Sequence, residues 1–259
     1  MFSQFQALVL GAVQGLTEFL PVSSSAHLAL LPWLAGWEDP GLAFDVALHM
    51  GTLVALLIFY WREWFAIVAS VFGGDPKERR LLGLLIVGSI PGAIFGFLFE
   101  KQAETTFRSP ALIAIALAVM GIVLWIVDLR SPNRRRIGEI TVLEAFLIGL
   151  SQAFAIVPGV SRSGVTITAA RALGLRREDA ANFSFLMAAP IIAGAGLLKL
   201  KDMTHGQPHT IWTGLVVAAI FGVLAIAALL RFVRSRSYAP FAIYRIAVAA
   251  AVLAIFLRR

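Results

Sequence analysis

Six apolar runs, at about 43–61, 81–99, 110–128, 183–200, 211–230 and 240–257, punctuate the chain. Each is long enough to cross a bilayer as a helix, which takes roughly 17–25 residues. Two further apolar stretches, 4–20 and 143–157, are too short for a comfortable crossing. Each stops at a polar, proline-containing break: Pro21-Val22-Ser23-Ser24-Ser25 in the first, Pro158-Gly159-Val160-Ser161-Arg162-Ser163-Gly164 in the second. A shorter helical run follows each break, at about 25–35 and 164–174. The pattern predicts an all-α membrane protein with six transmembrane helices plus two re-entrant helix pairs, a single integral membrane domain over 1–259.

The two broken stretches resemble each other. At an offset of 138, Ala7 matches Ala145, Gly11 matches Gly149, Gln14 matches Gln152, Val22 matches Val160, Ser23 matches Ser161 and Ser25 matches Ser163. Two Ala/Gly/Leu-rich segments can match by chance, but agreement at Gly, Gln and both Ser positions favours a duplication. Repeat one is then about 1–130 and repeat two about 140–259. Each is one broken hairpin followed by three spans, and because three is odd the second half enters the membrane upside down. Such an inverted-topology repeat brings the two hairpins in from opposite faces to meet near the midplane.

Composition sharpens the class. Hydrophobic residues make up 59% and charged residues 14%, with a mean hydropathy of +0.84. A soluble surface of this size needs more charge than that. The net charge of +7 would suggest nucleic acid in a soluble protein. Here the basic residues sit between apolar runs, as topology signals do, so no nucleic-acid partner is expected. Loops at 62–80, 129–142, 171–182 and 231–239 hold fourteen Lys and Arg. The opposite side holds six: Lys101, Arg108, Lys199, Lys201, Arg258 and Arg259. The positive-inside rule puts the first set in the cytoplasm and opens the first hairpin to the exterior. With no cysteine, thiol chemistry is excluded. No Lys or Arg precedes Arg62, so the first segment lacks the basic start of a signal peptide and is expected to be retained.

Irregular backbone at membrane depth is tolerated only inside protein or beside a wet cavity. Two hydroxyl-rich breaks therefore predict a polar cavity between them. A half-helix starts after each break with serine near its N-cap, so free N–H groups and the positive dipole end face that cavity. Ser23, Ser24 and Ser25 on one side and Ser161, Arg162 and Ser163 on the other form a candidate anion site. Arg162 can grip phosphate through two parallel hydrogen bonds. Such breaks also serve as plain kinks, but an arginine at that depth calls for a partner. Gln14 and Glu18, spaced i, i+4, share one helix face. A cation bound by both, magnesium or calcium, would reconcile a carboxylate with an anionic ligand. Glu18 also suits a general base, or a buried ion pair with Arg162. Ser24 and His27 are spaced i, i+3, so the imidazole is a candidate acid or base, its alternative being a packing role. Asp45 and His49 fit helix-end or packing roles, with support of the site as the sharper alternative. Glu144 has no evident partner.

The run Gln14-Gly15-Leu16-Thr17-Glu18-Phe19-Leu20-Pro21-Val22-Ser23-Ser24, with His27, resembles the first signature of the bacitracin-resistance type undecaprenyl-diphosphate phosphatases. Pro158-Gly159-Val160-Ser161-Arg162-Ser163-Gly164-Val165-Thr166 is similar to the second, and segments 182–186 and 240–245 are similar to others. The likeness covers nearly the whole chain. It implies removal of one phosphate from undecaprenyl diphosphate at the outer face of the bacterial inner membrane, recycling the lipid carrier of cell-wall synthesis. It also implies a divalent cation and paired re-entrant helices. Carried over by motif position, Glu18, Ser24, His27, Arg162 and Ser161 form the active set, with Gln14, Ser23, Ser163 and Thr166 around it. Many members carry Glu where this chain has Gln14, which bears on the number of carboxylates at the metal.

The expected reaction is attack by Ser24 on the terminal phosphorus, with His27 moving the proton; attack by metal-activated water is the rival. Broken-helix repeats are also transporter architecture, so a carrier or flippase of a phosphorylated polyprenyl lipid is the alternative function. A passive structural protein would leave Glu18 and Arg162 without purpose. The expected partners are the lipid substrate and the membrane, with a homodimer the one protein assembly left open.

Overall fold

The computed structural model describes residues 2–38, 40–99, 101–102, 106–199 and 208–258. Residue 200, Lys201 and Arg259, used above for a span end and a charge count, lie outside the described residues. Among the described residues there is no strand, only an isolated bridge between Arg135 and Leu175. The described residues form eleven α-helices that follow the apolar pattern: α1 (Gln4–Phe19), α2 (Ser24–Ala35), α3 (Leu42–Phe59), α4 (Trp61–Val71), α5 (Pro76–Leu98), α6 (Pro110–Arg130), α7 (Val142–Ser151), α8 (Arg162–Ala172), α9 (Arg177–Leu198), α10 (Pro208–Val233) and α11 (Ala239–Phe256).

Five of them, α5, α6, α9, α10 and α11, are each long and apolar enough to cross a membrane. The sixth expected span is α3, which counts only together with α4, bent from it by 80°. Residues 62–80 were expected to be a loop, and the structure puts most of α4 there. Trp61, Phe65, Val68 and Val71 are exposed on α4 while Ile67 and Ser70 are buried. Exposed apolar residues beside a polar edge of Arg62 and Glu63 are the pattern of an interfacial helix. Tyr60 breaks the helix at φ −100°, ψ 29°, its hydroxyl donating to Asn182 Oδ1 at 2.6 Å.

Local sequence sets the helix starts. Ser3 and Gln6 close a capping box on α1, Asp75 caps α5 ahead of Pro76, and Thr141 with Glu144 boxes α7. Glu144 thus has partners after all, since Arg135 also grips its two oxygens at 2.6 and 2.9 Å. The stretch 143–157 is not one helix: α7 stops at Ser151 and a 3-10 turn covers Gln152–Ile156.

The two hairpins begin at opposite ends of the bundle. Phe2 stacks edge-on against Phe44 at the start of α3, 4.7 Å between centroids. By contrast, α7 begins beside Arg80 of α5, whose guanidinium reaches the Gly138 and Ile140 carbonyls. There α8 also ends, Arg171 lying on Asp128 of α6 at 2.9 Å together with Arg177. Packing partners exchange between the halves. Helix α1 lies on α10 and α7 on α5, while α3 meets α10 and α9 meets α5. Both hairpin crossings need glycine. A Cβ on Gly11 would sit 2.7 Å from the Gly214 carbonyl, and one on Gly149 would collide with the Gly88 carbonyl.

Candidate active site

Each break turns on a serine in a conformation that L-residues rarely adopt. Ser23 (φ 75°) and Ser161 (φ 73°) are the only non-glycine residues with positive φ among those described. Each caps its helix: Ser23 Oγ accepts from Ala26 N at 3.4 Å and Ser161 Oγ from Gly164 N at 3.0 Å. Such backbone persists only when its surroundings over-determine it. Here each hairpin braces the other, with Gly159 N–H donating to Ser23 Oγ at 3.0 Å and Ser163 Oγ–H donating to the Leu20 carbonyl at 3.1 Å.

Between the breaks lies a cavity of about 300 Å³. Its polar wall is Glu18, Ser24, Ser25, His49, Ser161 and Arg162. Val46, Ile156, Ile191, Ile192 and Ala195 supply an apolar wall. The residues from spanning helices (Val46 and His49 early in α3, Gly92 late in α5, Ile191–Gly196 late in α9) all lie in the half away from the arginine-rich loops.

Glu18 is the hub. Arg162 pairs with Oε1, Ser24 donates its hydroxyl proton to Oε2, and Gln14 Nε2–H donates to Oε2 at 3.1 Å. His49 Nε2 stands 3.6 Å from the same Oε2, its ring held by Nδ1–H donation to the Asp45 carbonyl at 2.7 Å. Asp45 in turn pairs with Arg108 at 2.7 Å. Three buried atoms here have no protein hydrogen-bond partner: Arg162 Nη1, Gln14 Oε1 and Gln152 Oε1. The first belongs to a charged donor that lines the cavity, and the other two are amide acceptors, a set that suits an anion and a cation bound together.

Several expected site residues hold the frame instead. The Ser23 and Ser163 hydroxyls are engaged in the bracing just described. The Thr166 hydroxyl bonds the Arg162 carbonyl at 2.8 Å and Ser184 Oγ at 2.6 Å. None of the three lines the cavity, whereas Ser25 and Ser161 do. His27 stacks on Tyr244 at 5.7 Å between centroids, with Nε2 at 2.8 Å from the Tyr244 hydroxyl and Nδ1 at 2.7 Å from the Ser23 carbonyl. Both its nitrogens are engaged, and it too lies off the cavity wall, which His49 joins in its place.

Sequence reasoning gave Gln152 and Arg245 no role. Gln152 lines the cavity, its Nε2–H bound to the Gly88 carbonyl at 3.1 Å and its Oε1 unpartnered, as in Gln14. The fully buried Arg245 of α11 donates to the Pro21 carbonyl at 3.0 Å and to those of Gly159 and Val160 at 2.6 and 2.9 Å. An arginine inside the apolar run 240–257 was itself the signal.

For a cation, no cluster of three His, Cys, Asp or Glu side chains occurs among the described residues. One carboxylate and one free amide oxygen do not cage a hard ion. They do suit one whose other ligands are phosphate oxygens and water, the usual habit of magnesium.

The family described as bacitracin resistance protein BacA matches residues 7–251. The chain is 53% identical over 251 residues to the undecaprenyl-diphosphatase of Pelotomaculum thermopropionicum, covering 96% of this chain and 95% of that one. To the undecaprenyl-diphosphatase of Moorella thermoacetica it is 54% identical over 258 residues, and to that of Caldicellulosiruptor bescii 48% over 260, with 98% of both chains covered each time.

Proposed function

The chain belongs to the bacitracin resistance protein BacA family, and from that premise we propose that it hydrolyses undecaprenyl diphosphate to undecaprenyl phosphate and inorganic phosphate, so conferring bacitracin resistance. The observation that carries the reading is a cavity lined by both Arg162, whose Nη1 has no protein partner, and Ser24, whose hydroxyl donates to Glu18. A fixed cation with a free donor beside a nucleophile is what phosphoryl transfer requires.

Arg162 shifts from Glu18 onto the terminal phosphate and offers it both terminal nitrogens. That shift frees the Glu18 carboxylate to take the Ser24 proton, since Ser24 already donates to Oε2. Ser24 Oγ bonds to the terminal phosphorus as the bridging P–O bond breaks and undecaprenyl phosphate leaves. Water then attacks the phosphoserine phosphorus, releasing inorganic phosphate and returning the proton to Ser24. The half-helices behind Ser23 and Ser161 direct backbone N–H groups toward the developing charge. Ser25 and Ser161 bind phosphate oxygens, and the Ile191–Ile192 wall takes the first prenyl units. His27 locks the Ser23 turn from outside the cavity.

A divalent cation, magnesium or calcium, would be held by Glu18 and Gln14 Oε1 and would offset charge on the phosphate oxygens. The chain sits in the bacterial inner membrane with the cavity toward the periplasm, a placement supported by fourteen Lys and Arg at the other end. An inverted-topology repeat of about 1–130 and 140–259 is supported by the exchanged packing partners and the twin serine turns. One chain supplies every residue of the cavity, so a homodimer would leave it complete.

A lipid carrier could share this architecture, but carrying needs no nucleophile on a base, and Ser24 on Glu18 favours hydrolysis. The test is phosphate release from a long polyprenyl diphosphate by purified protein in detergent, with and without a chelator. Release that depends on divalent cation is expected. No release under any metal condition, with lipid crossing vesicles, would establish the carrier.

A further inference from the structure

A second cavity, of about 740 Å³, lies at the arginine-rich end, far from the phosphatase residues. Its charged wall is Glu63 of α4, Glu178 of α9, Arg231 of α10 and Arg234 just beyond it; Phe59 and Leu230 contribute apolar surface. Arg234 Nε–H donates to Glu178 at 2.8 Å, closing one pair. Glu63 and Arg231 are exposed and make no hydrogen bond or ion pair among the described residues. One free carboxylate and one free guanidinium therefore face a cavity whose charged groups balance, two against two.

Its depth is that of lipid head groups. Helices α3 and α10 both end here, at Phe59 and Val233, and α4 turns away at 80°. The exposed Trp61 and Phe65 of α4 belong to the interface between acyl chains and water. The surrounding loops carry a large excess of Lys and Arg and would gather anionic lipid without selectivity. This concavity differs because it sets acidic groups beside basic ones and so suits a head group that carries both charges.

We propose that this cavity binds the head group of a zwitterionic, primary-amine phospholipid of the facing leaflet. Arg231 takes the phosphate and Glu63 takes the ammonium, each replacing a missing partner by a charge-assisted hydrogen bond. The ligand needs N–H donors for Glu63, so an ethanolamine head group fits and a choline one does not. Its acyl chains lie along the apolar surface that α4 and the end of α10 leave uncovered.

Native mass spectrometry and thermal melts of the purified full chain in detergent test the site, with dioleoyl phosphatidylethanolamine, phosphatidylglycerol and phosphatidylcholine added separately. Phosphatidylethanolamine is expected to be retained about tenfold over the other two, the ratio one charge-assisted hydrogen bond supplies. The pair of substitutions Glu63→Gln and Arg231→Gln should abolish that preference, while leaving the lipid-free melting midpoint and phosphate release unchanged. Equal retention of phosphatidylglycerol would reduce the site to part of the cationic face and overturn the proposal. So would undiminished preference in the double variant, or an equal thermal shift with soluble glycerophosphoethanolamine alone.

Discussion

Arg245 Nη2 donates to the Gly159 carbonyl at 2.6 Å across a sequence separation of 86 residues. The same guanidinium reaches the Pro21 carbonyl through Nη1 at 3.0 Å. One buried cation from α11 thus ties the carbonyls of both breaks, which are free because the helices are interrupted there. Gly159 has no freedom in return. Its φ is +100°, and a Cβ would strike the Ile113 carbonyl.

Replacing Arg245 by Met should leave those carbonyls buried and unpaired. The expected loss is about 3–5 kcal/mol, the range for removing one partner of a buried charged network. A thermal melt in detergent, or reversible unfolding by denaturant, reads it directly. Arg245→Lys should recover only part, because one ammonium cannot reach carbonyls on both sides. A melting midpoint that does not move would show that the breaks hold without α11.

Arg162→Ala should lower kcat by about 10³-fold or more, as loss of an arginine at a transferring phosphoryl group does. It should also leave Glu18 without its countercharge. Arg162→Lys separates the two effects by keeping a charge near Glu18 while losing the two-pronged grip. Near-wild-type stability with turnover still depressed is expected for the lysine variant. Recovery of full turnover would reduce the arginine to a counterion.

Ser24→Ala removes both the nucleophile and the hydrogen bond to Glu18. Single-turnover work with a labelled terminal phosphate should trap label on Ser24 in wild type and none in the variant. Turnover in Ser24→Ala should fall by orders of magnitude. If it stays near wild type, water attacks directly and Ser24 only positions the substrate.

How far the sequence disclosed this site depends on which features are local. The breaks at 21–25 and 158–164 could be read because proline and clustered hydroxyls interrupt apolar periodicity, and both lie where the backbone turns. The meeting of Glu18 with Arg162 followed from pairing one unsupported charge with another. His27 and His49 could not be ranked in the same way. The i, i+3 spacing puts His27 near Ser24 along the chain, but the left-handed turn at Ser23 accompanies an imidazole aimed at Tyr244. His49 comes from another helix whose register against α1 depends on tertiary packing. Helix α4 was missed because a single polar edge, Arg62-Glu63, next to a run of loop charges looks like the end of a span. Only the exposure of Trp61 and Phe65 distinguishes a surface helix from a loop.

The orphaned Gln14 Oε1 leads to a prediction about the cation. A single carboxylate, already shared by Arg162 and Ser24, should bind magnesium or calcium weakly when no diphosphate is present. Calorimetric titration of the substrate-free protein should therefore show little heat, and a non-hydrolysable diphosphate analogue should restore binding. Gln14→Glu supplies a second carboxylate on the same helix face, one turn from Glu18. It should tighten cation binding about tenfold, the ratio expected of one added charged ligand worth about 1.4 kcal/mol. Gln14→Leu removes the free oxygen and should raise the cation concentration needed for half-maximal phosphate release, while Arg162 still binds the lipid. Tight cation binding by the substrate-free wild type would mean that the protein builds a full cage, contrary to the donor set around Glu18. A cation requirement unchanged by either substitution would place the ion elsewhere on the phosphates.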